Sequence, residues 1–528
     1  MGWLQDKLAG LRKPAHAAPA PPAAARIDWR ARGNAALAAG QIDEAARCYQ
    51  QAVDAEPGDP LARLNHGFAL MEQARFGEAA TRMREALALE RRGDGFAHDA
   101  QYLLGRALLE LGQPEQAVAA FEAAAGRKPG FLEPLADAIL TLHRLGRHDE
   151  AAQWARQRSA QVDDQLAQLD AVLRANPASA DAAMRRVSLL IEGLRLPEAV
   201  VAGREALRHC PDDPELHWAL SMACLLLGDF AAGWSEHEWR LRHPVYSRKV
   251  VQLPQPRWQG ETLQGRTIFL HAEQGFGDSL QFIRFLPDVA GRAGTVLLHL
   301  PPQLIPLVAD SLAPNCTLVD EDAPLPAMDF QLPLMSLPLV LGTTPATVPA
   351  AVPYVHADPG AVARWRERLG PGGLRVGITW SGNAAHVNDR NRSIALEAFR
   401  DIAVDGCRFY ALQPEVRASD RAAFSRWPGL VDLGPELRDF ADTAAVMEAL
   451  DLIVTVDTSV AHLAGALGRP VWILLPHLPD WRWMLQRSDS PWYPTARLFR
   501  QERAGDWSTA LARVRADLGA MARAATQS

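Results

Sequence analysis

Two stretches, GNAALAAGQIDEAARCYQQAVDAEPGDP at residues 33–60 and GFALMEQARFGEAATRMREALALERRGD at residues 67–94, stand 34 positions apart, and their likeness decides the fold of the first half of the chain. Gly33 falls on Gly67, Ala45 on Ala79 and Ala52 on Ala86. The pattern returns at 105–131 (GRALLELGQPEQAVAAFEAAAGRKPGF) and at 135–161 (LADAILTLHRLGRHDEAAQWARQRSAQ). After a less regular join it returns again at 189–215 and 223–244, with Pro177 and Pro211 keeping the same spacing. Each unit reads as two helices around a tight turn near Gly40, Gly112, Gly146 or Gly228. Alanine and glycine let the helices cross closely, and large residues such as Tyr49 and Phe121 fill the space between hairpins. A single hairpin cannot bury its apolar face, so successive hairpins must stack.

The period resembles that of the tetratricopeptide family, with about six units over residues 28–245. Stacked hairpins of this kind present a concave groove, which implies a protein client; a rigid spacer or a dimerisation surface is the alternative.

Bulk properties set the frame. A chain of 528 residues with 48% hydrophobic residues is too long for one core and too apolar for wholesale disorder. A formal charge of -7 speaks against a dedicated nucleic-acid binder. Cys48, Cys210, Cys224, Cys316 and Cys407 lie far apart with no C-x-x-C pair, which suggests reduced thiols and a cytoplasmic setting. The start of the chain (1–27) has no continuous apolar targeting core. Trp3, Leu4, Leu8 and Leu11 could line a short helix, and Pro14 to Ala25 reads as an Ala/Pro linker. No later stretch is long and apolar enough for a membrane span.

After His243-Pro244 the helical period stops, and a Pro- and Gly-rich connector covers 246–262. Short apolar strands then alternate with helical stretches, first at Thr267–His271, Thr295–Leu300 and Cys316–Val319. A second series runs through Arg375–Trp380, Cys407–Leu412, Leu430–Leu433, Asp451–Val456 and Pro470–Leu475. Such alternation predicts parallel sheets, here two Rossmann-like lobes at 263–355 and 356–528, with the cleft between them as the default active site.

Four stretches could carry chemistry. In HAEQGFGDSLQFIRFLP (271–287), Gly275 and Gly277 allow close approach of a ligand, and Asp278 is either a helix cap or a general base, with Glu273 as the competing carboxylate. The spacing lacks the third glycine of a dinucleotide fingerprint. In RVGITWSGNAAHVNDRNRSIALEAF (375–399), Asn383, His386, Asn388, Asp389, Arg390 and Arg392 crowd one loop that contains Gly382 and precedes a helix expected to begin near Ser393. Two arginines beside a helix N-terminus suit a diphosphate, whereas His386 is either a reactive group or an ordinary exposed histidine. In DLIVTVDTSVAHLAGALGRPVWILLP (451–476), the strand runs into Asp457, Thr458 and Ser459, with His462 one turn into a helix of small residues. Free backbone N–H groups and hydroxyls there form an anion site, or an ordinary capped helix. In PHLPDWRWMLQRSDSPWYPTARLFRQ (476–501), Trp481, Trp483, Trp492, Tyr493, Arg482 and Arg487 suit either sugar stacking or loop packing. The acidic triplet Asp320–Asp322 could be read as a metal site; with Arg390 and Arg392 available to neutralise phosphate, no metal is expected.

Gly277-Asp278, Arg390–Ser393 and Asp457–His462 together resemble the motifs of lipopolysaccharide heptosyltransferases, so the chain is similar to bacterial tetratricopeptide-repeat proteins with a glycosyltransferase family 9-like domain. The resemblance implies an all-α tetratricopeptide-repeat superhelix followed by an α/β GT-B-like module. It implies Asp278 as base, Arg392 on donor phosphate in place of the usual lysine, and Asp457 and Thr458 around the donor, with Ser459 where glycine is usual. The donor would be a nucleotide sugar, a substrate and not a permanently bound cofactor. The layout also resembles flagellin glycosyltransferases of stalked bacteria and the O-linked N-acetylglucosamine transferase, which implies a protein acceptor, flagellin among the candidates. Transfer to lipopolysaccharide or capsule, and a non-catalytic scaffold that retains the fold, are the alternatives.

Overall fold

The computed structural model describes residues 27–91, 95–247, 253–320, 324–384, 386 and 388–527. The expected N-terminal helix and Ala/Pro linker lie outside the described residues, as do Glu321 and Asp322 of the acidic triplet. The chain forms two compact units, 1–165 and 166–528.

In the first unit, helices Trp29–Ala38, Ile42–Ala55, Pro60–Glu72, Phe76–Ala88, Ala97–Glu110, Pro114–Arg127 and Leu132–Arg144 follow as hairpins. Gly40, Gly112 and Gly146 take positive φ at the turns (74°, 69° and 70°), where a left-handed residue reverses the chain without a Cβ penalty. Ala74 occupies the corresponding turn at φ 57°, so the repeat geometry is imposed even where the glycine is missing. At the crossings, a Cβ on Gly33 would lie 2.5 Å from Tyr49 Cε1, and one on Gly105 would lie 2.5 Å from Phe121 Cε1. Tyr49 and Phe121 are fully buried, as the sequence pattern requires. The unit boundary falls inside the 28-residue helix His148–Ala175.

The second unit begins with two more hairpins, Ala180–Glu192 with Leu196–His209 and Pro214–Leu227 with Phe230–His237, closed by a 3-10 turn at Glu238–Leu241. Two parallel sheets follow. The first contains β1 (Thr267–His271), β2 (Thr295–His299), β3 (Cys316–Leu318) and β4 (Phe330–Pro333) in the order β3-β2-β1-β4. The second contains β5 (Leu374–Thr379), β6 (Cys407–Ala411), β7 (Leu430–Asp432), β8 (Leu452–Val456), β9 (Val471–Leu475) and β10 (Ala496–Arg500) in the order β10-β9-β8-β5-β6-β7. This is a GT-B-like pair of Rossmann-like lobes. Each sheet has one point where the strand order reverses, beside β1 in the first and between β5 and β8 in the second. Ligands of such sheets bind outside the carboxyl ends of the strands at that point.

β4 and β10 were not among the expected strands. FQLP is short and ends in proline, and ARLFR alternates charged with apolar residues inside a stretch dominated by aromatics.

The compact units do not divide where the composition changes. The last hairpin is joined to both lobes. Arg240, with no exposed surface, donates from Nη2 to Glu273 Oε1 at 2.7 Å and to Ser336 Oγ at 2.8 Å. Trp234 Nε1 donates to the Thr343 carbonyl of the first lobe at 3.2 Å, and its ring meets Trp481 of the second edge-on at 5.1 Å. Phe230 stacks on Trp492 at 5.9 Å. A cut near residue 245 would therefore strip partners from buried side chains of the lobes. All five cysteines are free, and no helix among the described residues is long and apolar enough to cross a membrane.

Candidate functional site

The loop after β1 carries the first-lobe candidates. Gly275 caps the short helix Phe276–Phe282, and Asp278 Oδ2 accepts the Gly275 N–H at 2.8 Å. Asp278 therefore does act as a cap, but with one oxygen only. Its Oδ1 accepts from Arg482 Nη2 of the second lobe. Gly277 lies where a Cβ would meet His462 Cδ2 at 2.8 Å and Ser459 Cα at 3.6 Å, so this glycine permits the Phe276–Phe282 helix to seat against the Ser459–Ala466 helix.

Glu273 differs from Asp278 in environment. Its side chain is 2% exposed and both oxygens face Arg240. Burial pushes the Glu273 carboxyl up, against the pull of the Arg240 guanidinium. The buried Glu273 carboxylate anchors the loop to the repeat hairpin and has almost no surface to offer an acceptor, unlike the partly exposed Asp278.

The second loop, after β5, departs from the expected local structure. An extra helical turn, Asp389–Arg392, ends at extended Ser393, and the helix expected near Ser393 begins at Leu396. Arg392 thus closes a helical turn instead of opening one. Its Nη1 donates to the Asp457 carbonyl at 2.8 Å, which ties the β5 loop to the β8 loop. Gly382 is what lets it pass: a Cβ there would be 2.6 Å from Arg392 Nη2 and 2.9 Å from Asp389 Oδ1. Ser393 Oγ accepts from Gly382 N at 3.0 Å and donates to Asp389 Oδ1 at 2.9 Å. Buried Asp389 also holds Arg417, whose Nη2 lies 2.7 Å from Oδ2 and donates to the Gly382 carbonyl at 2.6 Å. Asn383, His386 and Arg390 are exposed on the same loop. His386 Nδ1 accepts from Asn388 N at 3.2 Å. Desolvation, followed by the Arg392 charge, lowers its pKa.

In the third stretch Thr458 caps the Ser459–Ala466 helix, with Oγ1 accepting from Val460 N at 3.3 Å. Asp457 is buried at the carboxyl end of β8; burial and the neighbouring Asp480 carboxylate push it up to about 6, while Arg392 pulls it down. His462 lies behind this loop. Its Nδ1 is 2.9 Å from Tyr493 Oη, its ring stacks at 5.5 Å on Trp483, and burial followed by the charges of Arg482, Arg284 and Arg392 lowers its pKa well below the ordinary range. The buried imidazole packs the junction of the lobes.

The aromatic stretch resolves the same way. Trp481, Trp483, Trp492 and Tyr493 are all buried, so they pack and do not offer a stacking platform to sugar. Tyr493 sits where a Cβ on Gly465 would come within 2.3 Å. The polar members of this stretch matter more than its rings: Arg482 reaches the Asp278 loop, and Asp480 holds Arg482 from its own loop. Sequence reading gave Asp480 and Arg417 no role; the alternation of charge with tryptophan in PDWRW was the available signal.

The geometry therefore brings all four stretches to one place. Asp278 meets Arg482, Gly277 meets Ser459 and His462, and Arg392 meets Asp457. Glu273 lies on the repeat side.

Parts of the chain match two family models. Residues 30–80, 64–131 and 155–214 match the tetratricopeptide repeat model, and residues 415–475 match that of glycosyltransferase family 9 (heptosyltransferase). The chain thus combines tetratricopeptide repeats with a heptosyltransferase-like segment. That segment includes Asp457 to His462 but neither Asp278 nor Arg392. The chain is similar to Protein FlbA of Caulobacter vibrioides, 27% identical over 349 residues, covering 60% of this chain and 58% of that one. It spans less than two thirds of the length of this curated relative. Among solved structures, the likenesses include MamA (21% identity, TM-score 0.22, 34% of this chain and 93% of that one). They also include YrrB, a TPR protein with an unusual peptide-binding site (20% identity, TM-score 0.22, 36% and 89%). Likeness at that level says nothing of what this chain binds.

Proposed function

We propose that this protein is a glycosyltransferase that moves a sugar from a nucleoside diphosphate donor to a macromolecular acceptor, a protein selected by the repeats. The observation that carries the reading is the meeting of the two strand-order reversals: the Asp278 loop of one sheet lies against the Asp457–Ser459 loop of the other, and Arg392 joins that loop to the glycine loop after β5. In this reading the acceptor hydroxyl oxygen attacks the anomeric carbon. The bond from that carbon to the diphosphate oxygen breaks with its electron pair, and the hydroxyl proton passes to Asp278. Arg392, with the Thr458–Ser459 helix start, shares the charge that grows on the departing diphosphate. Arg390 and Asn383 line the exposed side of the donor loop. The chemistry as read needs no metal, because arginine supplies the positive charge. Flagellin is the first candidate acceptor, from the likeness of layout.

The test is donor binding by the full chain. Thermal unfolding and calorimetry with ADP-, UDP-, GDP- and dTDP-sugars should find one donor that stabilises the fold, by about 2.7 kcal/mol at a hundredfold excess over Kd. Arg392→Ala should remove most of that gain. A panel in which no donor stabilises the protein overturns the reading.

A further inference from the structure

We propose that Arg482 is a positioning residue for transfer: it reaches from the second lobe to hold the Asp278 carboxylate, so that the base is set only while the two lobes stand in this arrangement. The proposal rests on the reading of Asp278 as base.

The side chain of Arg482 is 7% exposed, and every edge of its guanidinium is used. Nη2 donates to Asp278 Oδ1 and Nε donates to Gln281 Oε1, two residues one turn apart on the Phe276–Phe282 helix. Nη1 donates to Asp480 Oδ1 at 2.9 Å on its own loop. The guanidinium carbon lies 4.2 Å above the Trp481 ring, and Asp480 Oδ1 also accepts the Arg482 backbone N–H at 3.0 Å, which fixes the stem. Trp481 is in turn packed by Trp234 and Trp492. The cation is thus held rigidly by the second lobe and the last repeat, and is aimed at the first lobe.

On the other side, Asp278 has one oxygen on Gly275 N–H and the other on Arg482. A carboxylate offers about four lone-pair sites. Two are spent on orientation and the remainder can meet a hydroxyl. The Asp278 charge is felt by Glu273, His386 and Tyr246; among the described residues only Arg482 forms an ion pair with it. A planar fork is needed for this geometry, since one ammonium cannot serve positions 278, 281 and 480 together.

The experiment is a double-mutant cycle on the full chain, using the donor found above and reading nucleoside diphosphate release in a single turnover beside donor Kd. Arg482→Ala should slow release by about 100-fold, the scale of a small misplacement at a reacting centre, with donor Kd unchanged. Asp278→Asn/Arg482→Ala should be no slower than Asp278→Asn alone, because the arginine acts through that carboxylate. Methylguanidine should restore part of the rate to Arg482→Ala and none to the double variant. Arg482→Lys, which keeps the buried stem and the charge, should show the same coupling with a smaller loss if the alanine variant does not fold. Additive losses, or a weakened donor Kd that makes Arg482 a phosphate ligand, would overturn the proposal. Full turnover in Asp278→Asn would instead remove the reading on which it rests.

Discussion

In the Ala97–Arg127 hairpin, Gly105 and a set of alanines close around Phe121, and the buried surface is shared with neighbouring hairpins. In the Pro214–His237 hairpin the same period carries Trp234 and His237, followed by Arg240, and these side chains meet the lobes. His217 stacks on Trp239 at 3.7 Å, and Arg240 disappears into the first lobe. Backbone geometry is common to both hairpins; what sets them apart is the outward residues. The period reports that a hairpin stacks, while the type of residue on its free side reports what it stacks against.

This comparison can be broken most severely at Arg240. Arg240→Met leaves the Glu273 carboxylate buried without its cation, and chemical denaturation should show a loss of about 3–5 kcal/mol. Glu273→Gln in that background should return part of it. The matched change in the first unit, Arg147→Met, removes only an exposed pair with Glu150 and should leave the denaturation midpoint unmoved. Equal losses at both positions would erase the distinction between the hairpins.

A smaller effect sharpens the other half. Glycine to alanine within a helix ordinarily gains about 1 kcal/mol. At Gly105 the added Cβ would lie 2.5 Å from Phe121 Cε1. Gly105→Ala should therefore lower the unfolding temperature, by an amount corresponding to about 1–3 kcal/mol. In a Phe121→Leu background the same change should turn neutral or favourable. An increase in stability in the parent would mean that the crossing has slack that the packing denies.

Much of this was legible in the sequence because it depends on local rules. A 34-residue recurrence, turn glycines and parallel strands bounded by loops are patterns of neighbours along the chain, and β1, β2 and β3 begin at the expected residues. The loops at Asp278, Arg392 and Asp457 stood out in the sequence as strand exits rich in glycine, hydroxyl and charge, and the structure brings them together. What stayed hidden depends on partners distant in sequence. Glu273 and Asp278 are five residues apart and chemically alike, yet one is claimed by Arg240 from the repeats and the other by Arg482 from the second lobe. Nothing local to HAEQGFGD distinguishes them. His462 was hidden in the same way: its small-residue helix suggested an open anion site, whereas Tyr493 and Trp483 enclose the ring. The helix expected near Ser393 begins three residues later, at Leu396, because Gly382, Asp389 and Ser393 lock into a hydrogen-bonded knot that holds Ser393 extended.

If the meeting of the two loops is a catalytic site with Asp278 as its base, donor binding and transfer must respond differently to loss of that carboxylate. Calorimetric donor affinity and single-turnover transfer would be recorded for the parent and for Asp278→Asn. The account predicts unchanged donor affinity with transfer slowed by about 10²–10⁴-fold, the range of a positioned general base. Full transfer by Asp278→Asn, with donor bound as tightly as in the parent, would contradict it.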